Sequence, residues 1–315
     1  MAVTPGRRIE KIVVGVDLSV PSDQALERAA AIAQLNGAAL ILVHAQADDA
    51  QIENVDNEVV KQLGEVSAAV RAEETRRLAE RMDQLQARGI QTSIVGRGGS
   101  PGDVISDVAK EHGAGLIVVG THGHTGIQRF LLGSVATAVL RTAPCDVLVC
   151  RGAGNAAAFA RPLVATDFSA AADRALHHAA ALTAPGAPIE IIHAWQLPAG
   201  SWGATLLGQA RFPWNTVRDA VLAGVKTQAD KLLAKVADLG HPVHVELVQG
   251  PPPSVITHAA ERGGHDLIAI GTHGHRGFRR LLLGSVAESV IRHAPCSVLV
   301  AHSENAGDTS KFVKV

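Results

Sequence analysis

Short apolar runs rich in Val and Ile alternate along the chain with longer segments in which apolar residues recur every three to four positions. Short runs of this kind are typical of buried strands, and the longer spacing is typical of amphipathic helices. In the first half the pattern predicts strands at 11–16, 39–44, 90–95, 116–119 and 147–149. It predicts the intervening helices at 22–36, 58–88, 103–111 and 134–141.

The second half repeats this order of elements. Strands are predicted at 162–165, 189–193, 243–248, 267–270 and 297–300, with helices that include 170–182 and 215–239. Continuous apolar strands that alternate with helices indicate a parallel sheet covered on both faces. Ligands of such doubly wound sheets bind beyond the carboxyl ends of the strands.

A glycine-rich segment appears twice and shows that the chain is a tandem repeat. Residues 120–136 and 271–287 share thirteen of seventeen positions at an offset of 151. We therefore expect domains at 1–152 and 161–303, a small-residue linker at 153–160 and a polar tail at 304–315.

Each copy of this segment has two glycines three positions apart, then nine residues, then Gly-Ser. A strand should end at the first glycine, and a helix should begin at the Gly-Ser. Free backbone N–H groups and the positive end of a helix meet there, which suits a phosphate. A turn that uses glycine only for its geometry is the alternative. The spacing is neither a Walker A loop nor a dinucleotide-binding fingerprint. The residues concerned are Gly120, Gly123, Gly133 and Ser134 in copy one and Gly271, Gly274, Gly284 and Ser285 in copy two.

The Gly-2x-Gly-9x-Gly-Ser pattern, an Asp after the first strand and Ala-Pro-Cys before the last resemble the universal stress protein family. The resemblance covers nearly the whole chain twice. It implies two five-stranded parallel α/β sandwiches of Rossmann-like fold, packed as a pseudo-dimer through antiparallel pairing of 147–149 with 298–300. Family members with this glycine pattern typically bind ATP, with Mg²⁺ as a possible companion.

Carried over by position, the resemblance gives each residue of the motif a role. Asp17 and Asp167 would contact the adenine or ribose, and Val43 and Ile192 would contact the base through backbone atoms. The glycines and serines named above would hold the phosphates, with Ser134 either capping its helix or donating its hydroxyl. A loop-capping role is the alternative for each aspartate.

Composition narrows the choice of partners. A net charge of −1 with pI near 7 argues against capture of nucleic acid or anionic membranes, and only 3% of residues are aromatic. No apolar run approaches the ~18 residues of a membrane span, and the N-terminus lacks a signal core, so we expect a cytoplasmic protein. Three cysteines do not make a disulfide framework, and Cys145 and Cys296 should be buried beside strands.

Other features leave alternatives open. The His-x-His pairs are candidate metal ligands or phosphate contacts, and arginines in the same loops would neutralise phosphate or face water. Trp195, Trp202 and Trp214 mark an insertion in copy two that would pack locally or form a lid. The copies also differ before the fourth strand, where copy two has His265-Asp266. The histidines are His122, His124, His273 and His275, and the arginines are Arg129, Arg279 and Arg280.

The sequence therefore predicts a tandem stress-response protein that binds ATP and acts through shape or partner affinity rather than rapid turnover. No Ser-His-Asp set is evident on the phosphate edge. The alternatives are a slow ATPase or phosphotransferase, a metal or redox module, and a structural scaffold with empty pockets, and a homodimer is possible.

Overall fold

The computed structural model describes residues 9–46, 57–121, 132–152, 157–197, 214–272 and 283–302, without the side chains of residues 57–63 and 214. The first half alternates strands and helices from its first element. Its elements are β1 (Lys11–Gly15), α1 (Val20–Asn36), β2 (Ala39–Gln46), α2 (Asn57–Ala87), β3 (Thr92–Gly98), α3 (Pro101–His112), β4 (Leu116–Gly120), α4 (Ser134–Thr142) and β5 (Asp146–Cys150).

The second half has the same succession. Its elements are β6 (Pro162–Ala165), α5 (Ala170–Leu182), β7 (Ile189–Trp195), α6 (Trp214–Lys235), β8 (Val243–Gln249), α7 (Pro252–Gly263), β9 (Leu267–Gly271), α8 (Ser285–His293) and β10 (Ser297–Ala301). The alternating α/β prediction is confirmed in both halves. None of the helices in the described ranges is both long and apolar enough to cross a bilayer.

All ten described strands form one sheet. Its order is β3-β2-β1-β4-β5-β10-β9-β6-β7-β8, so each half has the order 3-2-1-4-5 with parallel neighbours. The halves meet at β5 and β10, which pair antiparallel with Leu148 opposite Leu299. This pairing confirms the predicted pseudo-dimer. At the ends of this pair, the Asp146 carboxylate accepts the N–H of His302 at 2.9 Å, and the Ser297 hydroxyl accepts that of Arg151 at 3.2 Å.

The sheet separates two layers of apolar side chains. One face packs under α1, α2, α5 and α6 and includes Ile12, Leu42 and Leu176. The other packs under α3, α4, α7 and α8 and includes Val13, Ile117 and Ile268. Both layers run from one half into the other, and the Asn36 side-chain amide of α1 donates to Ala181 O of α5 at 2.9 Å.

The end of the predicted linker is docked on both halves. Phe159 is fully buried, exchanges backbone hydrogen bonds with Leu182 and Ala184 (3.1 and 2.7 Å), and lies under the Arg28 guanidinium at 4.3 Å. The Asp266 carboxylate then accepts the backbone N–H groups of Ala160 (2.7 Å) and Arg161 (3.0 Å). We call residues 157–161 the strap. The His265-Asp266 pair, which copy one replaces by Ala114-Gly115, fastens it.

Candidate functional site

The candidate site lies at the carboxyl edge of the sheet, between the ends of β1 and β4. The strand order reverses there, which is where doubly wound sheets bind ligands. In copy one this crevice holds a cavity of about 250 Å³. Its walls come from the ends of three strands, from α3 and from the first turn of α4; they include Gly15, Asp17, Val43, Ile105, Val119, Gly120, Gly133, Ser134, Val135 and Ala136.

Asp17 both lines the cavity and holds the loop between β1 and α1. Its Oδ1 accepts the backbone N–H of Ser19 at 3.0 Å and the Ser19 hydroxyl at 2.5 Å. Ser19 caps α1 by accepting the N–H of Ser22, and the Ser22 hydroxyl accepts the N–H of Asp17 (both 3.3 Å). Loop capping is therefore a real role of Asp17, and a ligand contact would be additional to it. Asp17 also borders a second cavity of about 400 Å³ against α2.

Asp167 occupies the same place in copy two. Its Oδ1 accepts the N–H of Ser169 at 3.0 Å, and Ser169 caps α5. The residue after each aspartate has a left-handed backbone, with φ 62° at both Leu18 and Phe168; within the described ranges no other non-glycine residue has positive φ. Such a conformation costs about 1–2 kcal/mol for a residue with a Cβ. The shared strain shows that both copies build this loop in the same way.

Val43 and Ile192 lie in β2 and β7, each directly before a histidine. Their carbonyls already accept the N–H groups of Val16 (2.9 Å) and Thr166 (3.0 Å), which extends the parallel ladder by one residue. The side chains of Val43 and Ile192 are each 1% exposed. Any contact of their backbone with a base would therefore be made beside a hydrogen bond that is already present.

A pair of equivalent histidines, His44 and His193, was missed as part of the site. Nδ1 of His44 and of His193 lies 2.8 Å from the carbonyl oxygen of Val16 and Thr166, respectively. Because a carbonyl only accepts, each Nδ1 must carry the proton. His44 Nε2 lies 3.5 Å from Glu74, whereas the His193 ring packs on Phe168 at 4.4 Å. The sequence signal was the recurrence of His at the last position of both predicted second strands, 39–44 and 189–193.

Gly120 and Gly271 have a packing role that is independent of any ligand. A Cβ on Gly120 would lie 3.1 Å from the carbonyl oxygen of Pro21, and one on Gly271 would lie 3.0 Å from the carbonyl carbon of Ala171. Both neighbours are backbone atoms of the first helix of each half. Glycine at the end of β4 and β9 therefore lets that helix approach the sheet edge.

Gly133 and Gly284 close the base of each glycine-rich loop. The N–H of Gly133 donates to Thr121 O at 2.8 Å, and that of Gly284 donates to Thr272 O at 3.0 Å. These two amides are thus engaged within the protein. Each glycine is also the N-cap of the helix that follows, so the expectation that Ser134 caps its helix is wrong: Ser134 is the first helical residue.

The first turn of α4 is open towards the cavity. The first N–H groups of a helix have no acceptor within it, and within the described residues Gly133 supplies no side-chain cap. Ser134, Val135 and Ala136 of this turn line the cavity. α8 starts in the same way at Gly284-Ser285, again without a side-chain cap among the described residues. Each half thus presents N–H donors and a positive helix end at the sheet edge.

Several predicted positions lie outside the described residues. They are Gly123, Gly274, the four loop histidines, Arg129, Arg279, Arg280 and Trp202. Of the other tryptophans, Trp195 ends β7 and is 7% exposed, which fits local packing, and Trp214 begins α6.

The described residues give little support to a metal or redox centre. Within them no group of three His, Cys, Asp or Glu side chains is placed to hold a metal ion. Burial raises the pKa of the Cys145, Cys150 and Cys296 thiols to about 12, so very little thiolate forms at neutral pH. Cys145 and Cys296 directly precede β5 and β10, as predicted; Cys296 is buried, whereas Cys145 is partly exposed.

Fold and site together define a class: a tandem, doubly wound α/β protein in which a helix begins at the carboxyl edge of each half, without a side-chain cap among the described residues. A family model described as the universal stress protein family matches residues 8–151 and again 159–302. The chain belongs to this family and is a tandem member of it.

Individual relatives agree with this assignment. A universal stress protein of Mycolicibacterium smegmatis is 28% identical over 295 residues, covering 92% of this chain and 96% of its own length. One from Methanocaldococcus jannaschii is 42% identical over 87 residues, which is 28% of this chain and 51% of that protein. The crystal structure of a universal stress protein from Archaeoglobus fulgidus, 23% identical, covers 94% of this chain and 97% of its own with a TM-score of 0.61, which supports the fold.

Proposed function

We propose that this protein binds ATP at the carboxyl edge of each half and acts in the stress response through nucleotide occupancy rather than rapid turnover. The observation that carries the proposal is the open first turn of α4 on the copy-one cavity, repeated at α8. A turn of this kind offers several N–H groups and about half a positive charge to an anion.

The rest of the copy-one cavity suits the remainder of a nucleotide. Val43, Ile105 and Val119 form an apolar wall against which a base or ribose can pack, and each is at most 3% exposed. Asp17 lies at the mouth of the same crevice. A phosphate site next to an apolar wall is the usual arrangement of small-molecule pockets, which combine apolar surface with a few placed polar groups. Mg²⁺ would enter with the phosphates, its usual ligands.

Binding without rapid turnover is favoured by the state of the titratable groups. Among the described lining residues these are Asp17 and His44, and both are engaged in holding the loops together. The hydroxyl that the Asp17 carboxylate accepts is that of Ser19, which is buried and caps α1. Slow hydrolysis is tested directly by phosphate release under saturating ATP and Mg²⁺.

Replacing the exposed first residue of each helix tests the proposal. In the Ser134→Glu, Ser285→Glu double variant a carboxylate occupies the helix end that the phosphates would use. Glutamate in a first helical turn stabilises the helix, by about 0.3–1 kcal/mol, so folding should be unharmed. We expect ATP affinity by isothermal titration calorimetry to fall at least tenfold, with an unchanged or raised Tm.

The matched control is the double variant with glutamine at the same positions, which has the same size without the charge and should bind ATP within about threefold of the wild type. Undiminished ATP binding by the glutamate variant would show that the helix ends do not hold the phosphates. Wild-type protein that shows neither heat of binding nor a rise in Tm with ATP would refute nucleotide binding altogether.

A further inference from the structure

We infer that the two nucleotide sites are unequal, copy one being the tighter, because the apolar wall of copy two is built from larger side chains. This inference rests on the proposed function and adds to it which half responds first to nucleotide. It is carried by the residues that form the wall. The helix ends share a glycine N-cap followed by serine, and α8 differs from α4 in having Glu288 in its first turn.

In copy one the Ile105 side chain packs directly on β1 where Gly15 ends the strand. A Cβ at this position would lie 2.7 Å from Ile105 Cδ1 and 3.4 Å from Val119 Cγ1. Both side chains line the cavity, as does Gly15 itself, which is partly exposed. The missing side chain at Gly15 therefore lets Ile105 of α3 lie against the end of β1.

Copy two has a larger residue at three of the four matching positions. Ala165 ends β6 and pairs with Ile192, as Gly15 ends β1 and pairs with Val43. Ile270 precedes Gly271 in copy two, at the position that Val119 has before Gly120 in copy one. Ile256 is the equivalent of Ile105. Ile192, Ile256 and Ile270 belong to the same buried cluster as Val43, Ile105 and Val119, and Ala165 lies in it too.

The added carbons matter because interiors are closely packed. The Cβ that would crowd Ile105 in copy one is present in copy two, so Ile256 must accommodate it, and two further methylenes enter the same wall. Close-packed side chains give way only at a cost, so a base or ribose that fits copy one must displace apolar side chains in copy two. The anion-binding turn is retained, so we expect weak rather than absent binding.

Single-site variants separate the two halves. Ser285→Glu alone blocks copy two and should leave the tight site; Ser134→Glu alone blocks copy one and should leave the weak one. Titration calorimetry of each full-length variant with ATP should give dissociation constants at least tenfold apart, equivalent to about 1.4 kcal/mol. Equal constants, within about twofold, would overturn the inequality while leaving nucleotide binding established. No binding by either variant or by the wild type would overturn the proposed function itself.

Exchanging the wall residues tests the cause. In the Ser285→Glu background, Gly15→Ala should weaken ATP binding at least threefold. In the Ser134→Glu background, Ala165→Gly should tighten ATP binding by a similar factor. Because Ala165→Gly removes atoms from the core, its folding does not require a crowded core to rearrange. Tm measurements report whether each variant folds. Affinities that do not move in the Ala165→Gly variant would show that the wall does not set the difference.

Discussion

At the scale of single residues, glycines do more for the architecture than their place in a phosphate motif suggests. Gly120 and Gly271 allow the first helix of each half to reach the sheet edge, and Gly15 allows Ile105 to pack on the end of β1. Gly133 and Gly284 cap helices and close loops with their own N–H groups. Some glycines of a pattern that predicts ligand binding are therefore needed for close contacts between backbone segments of the protein itself.

Substituting Gly120 tests this packing role without any ligand. Gly120→Ala places a Cβ 3.1 Å from the Pro21 carbonyl oxygen, which is backbone and cannot easily move, so we expect a loss of about 1–3 kcal/mol in the free energy of unfolding. The matched control is Gly64→Ala in α2, where a Cβ would meet nothing within 4 Å. It should gain up to about 1 kcal/mol from helix propensity. Urea denaturation compares the two, and equal stability would contradict the packing role.

At the scale of elements, the strap is held by side chains of the second half that have no counterpart in the first half. Asp266 holds the N–H groups of Ala160 and Arg161, and His265 Nδ1 lies 2.9 Å from Arg161 O while its Nε2 lies 3.1 Å from Glu190. Copy one has Gly115 at the position of Asp266. The difference in sequence follows from the chain path, because only the second half must receive a connecting segment.

Removing the Asp266 carboxylate should loosen the strap. Asp266→Ala deletes two hydrogen bonds, and we expect a loss of about 1–3 kcal/mol in the free energy of unfolding, with faster proteolytic cleavage near residues 157–161. Asp266→Asn keeps one acceptor oxygen and should fall between the alanine variant and the wild type. If the three proteins unfold at the same urea concentration, the carboxylate does not fasten the strap.

The elements themselves were largely predictable, and the deviations have local causes. Strand β3 was predicted at 90–95 but spans Thr92–Gly98, because the N–H of Ile90 closes the preceding helix on Leu85 O, and the strand end pairs with Ala45 and Gln46 of β2. The start of a helix at each Gly-Ser followed from the repeat, although the capping residue is the glycine and not the predicted serine. The wall difference and the strap did not, since they depend on contacts between residues far apart in sequence.

At the scale of the whole molecule, the seam between the halves is the antiparallel pair β5 and β10, and polar groups close its ends. The Asp146 carboxylate also contacts His178 of α5, and Arg151 donates from its side chain to Ile291 O at 3.1 Å. All three cysteines lie next to this pair: Cys145 and Cys296 precede its strands and Cys150 ends β5. The thiols therefore report on the integrity of the seam.

Alkaline pH should weaken the fold through these thiols. Burial raises the pKa of each from 9.0 to about 12, so the unfolded chain loses these protons first. Their stabilising contribution is complete below about pH 9 and is lost as pH rises towards 12. The chain has no tyrosine, so no phenol titrates in this range.

The measurement is the free energy of unfolding from urea titrations at pH values from 8 to about 11. We expect a decline above about pH 9 in the wild type and a smaller decline when all three cysteines are replaced by alanine. Thiol reagents should react slowly at pH 8 with the native protein and fast after unfolding. An identical pH slope in both proteins would contradict the assigned cause.

Because β5 and β10 belong to one polypeptide, dilution cannot separate the two halves as it would separate two independent chains. The connecting strap keeps the partners at a high effective concentration whatever the amount of protein present. Two identical chains would also carry every substitution twice, once on each side of the axis. Fusion removes that restriction, so a change such as Gly to Ala at the end of β1 or β6 can be inherited by one half alone. The two halves of one molecule can then differ in the side chains that line their crevices.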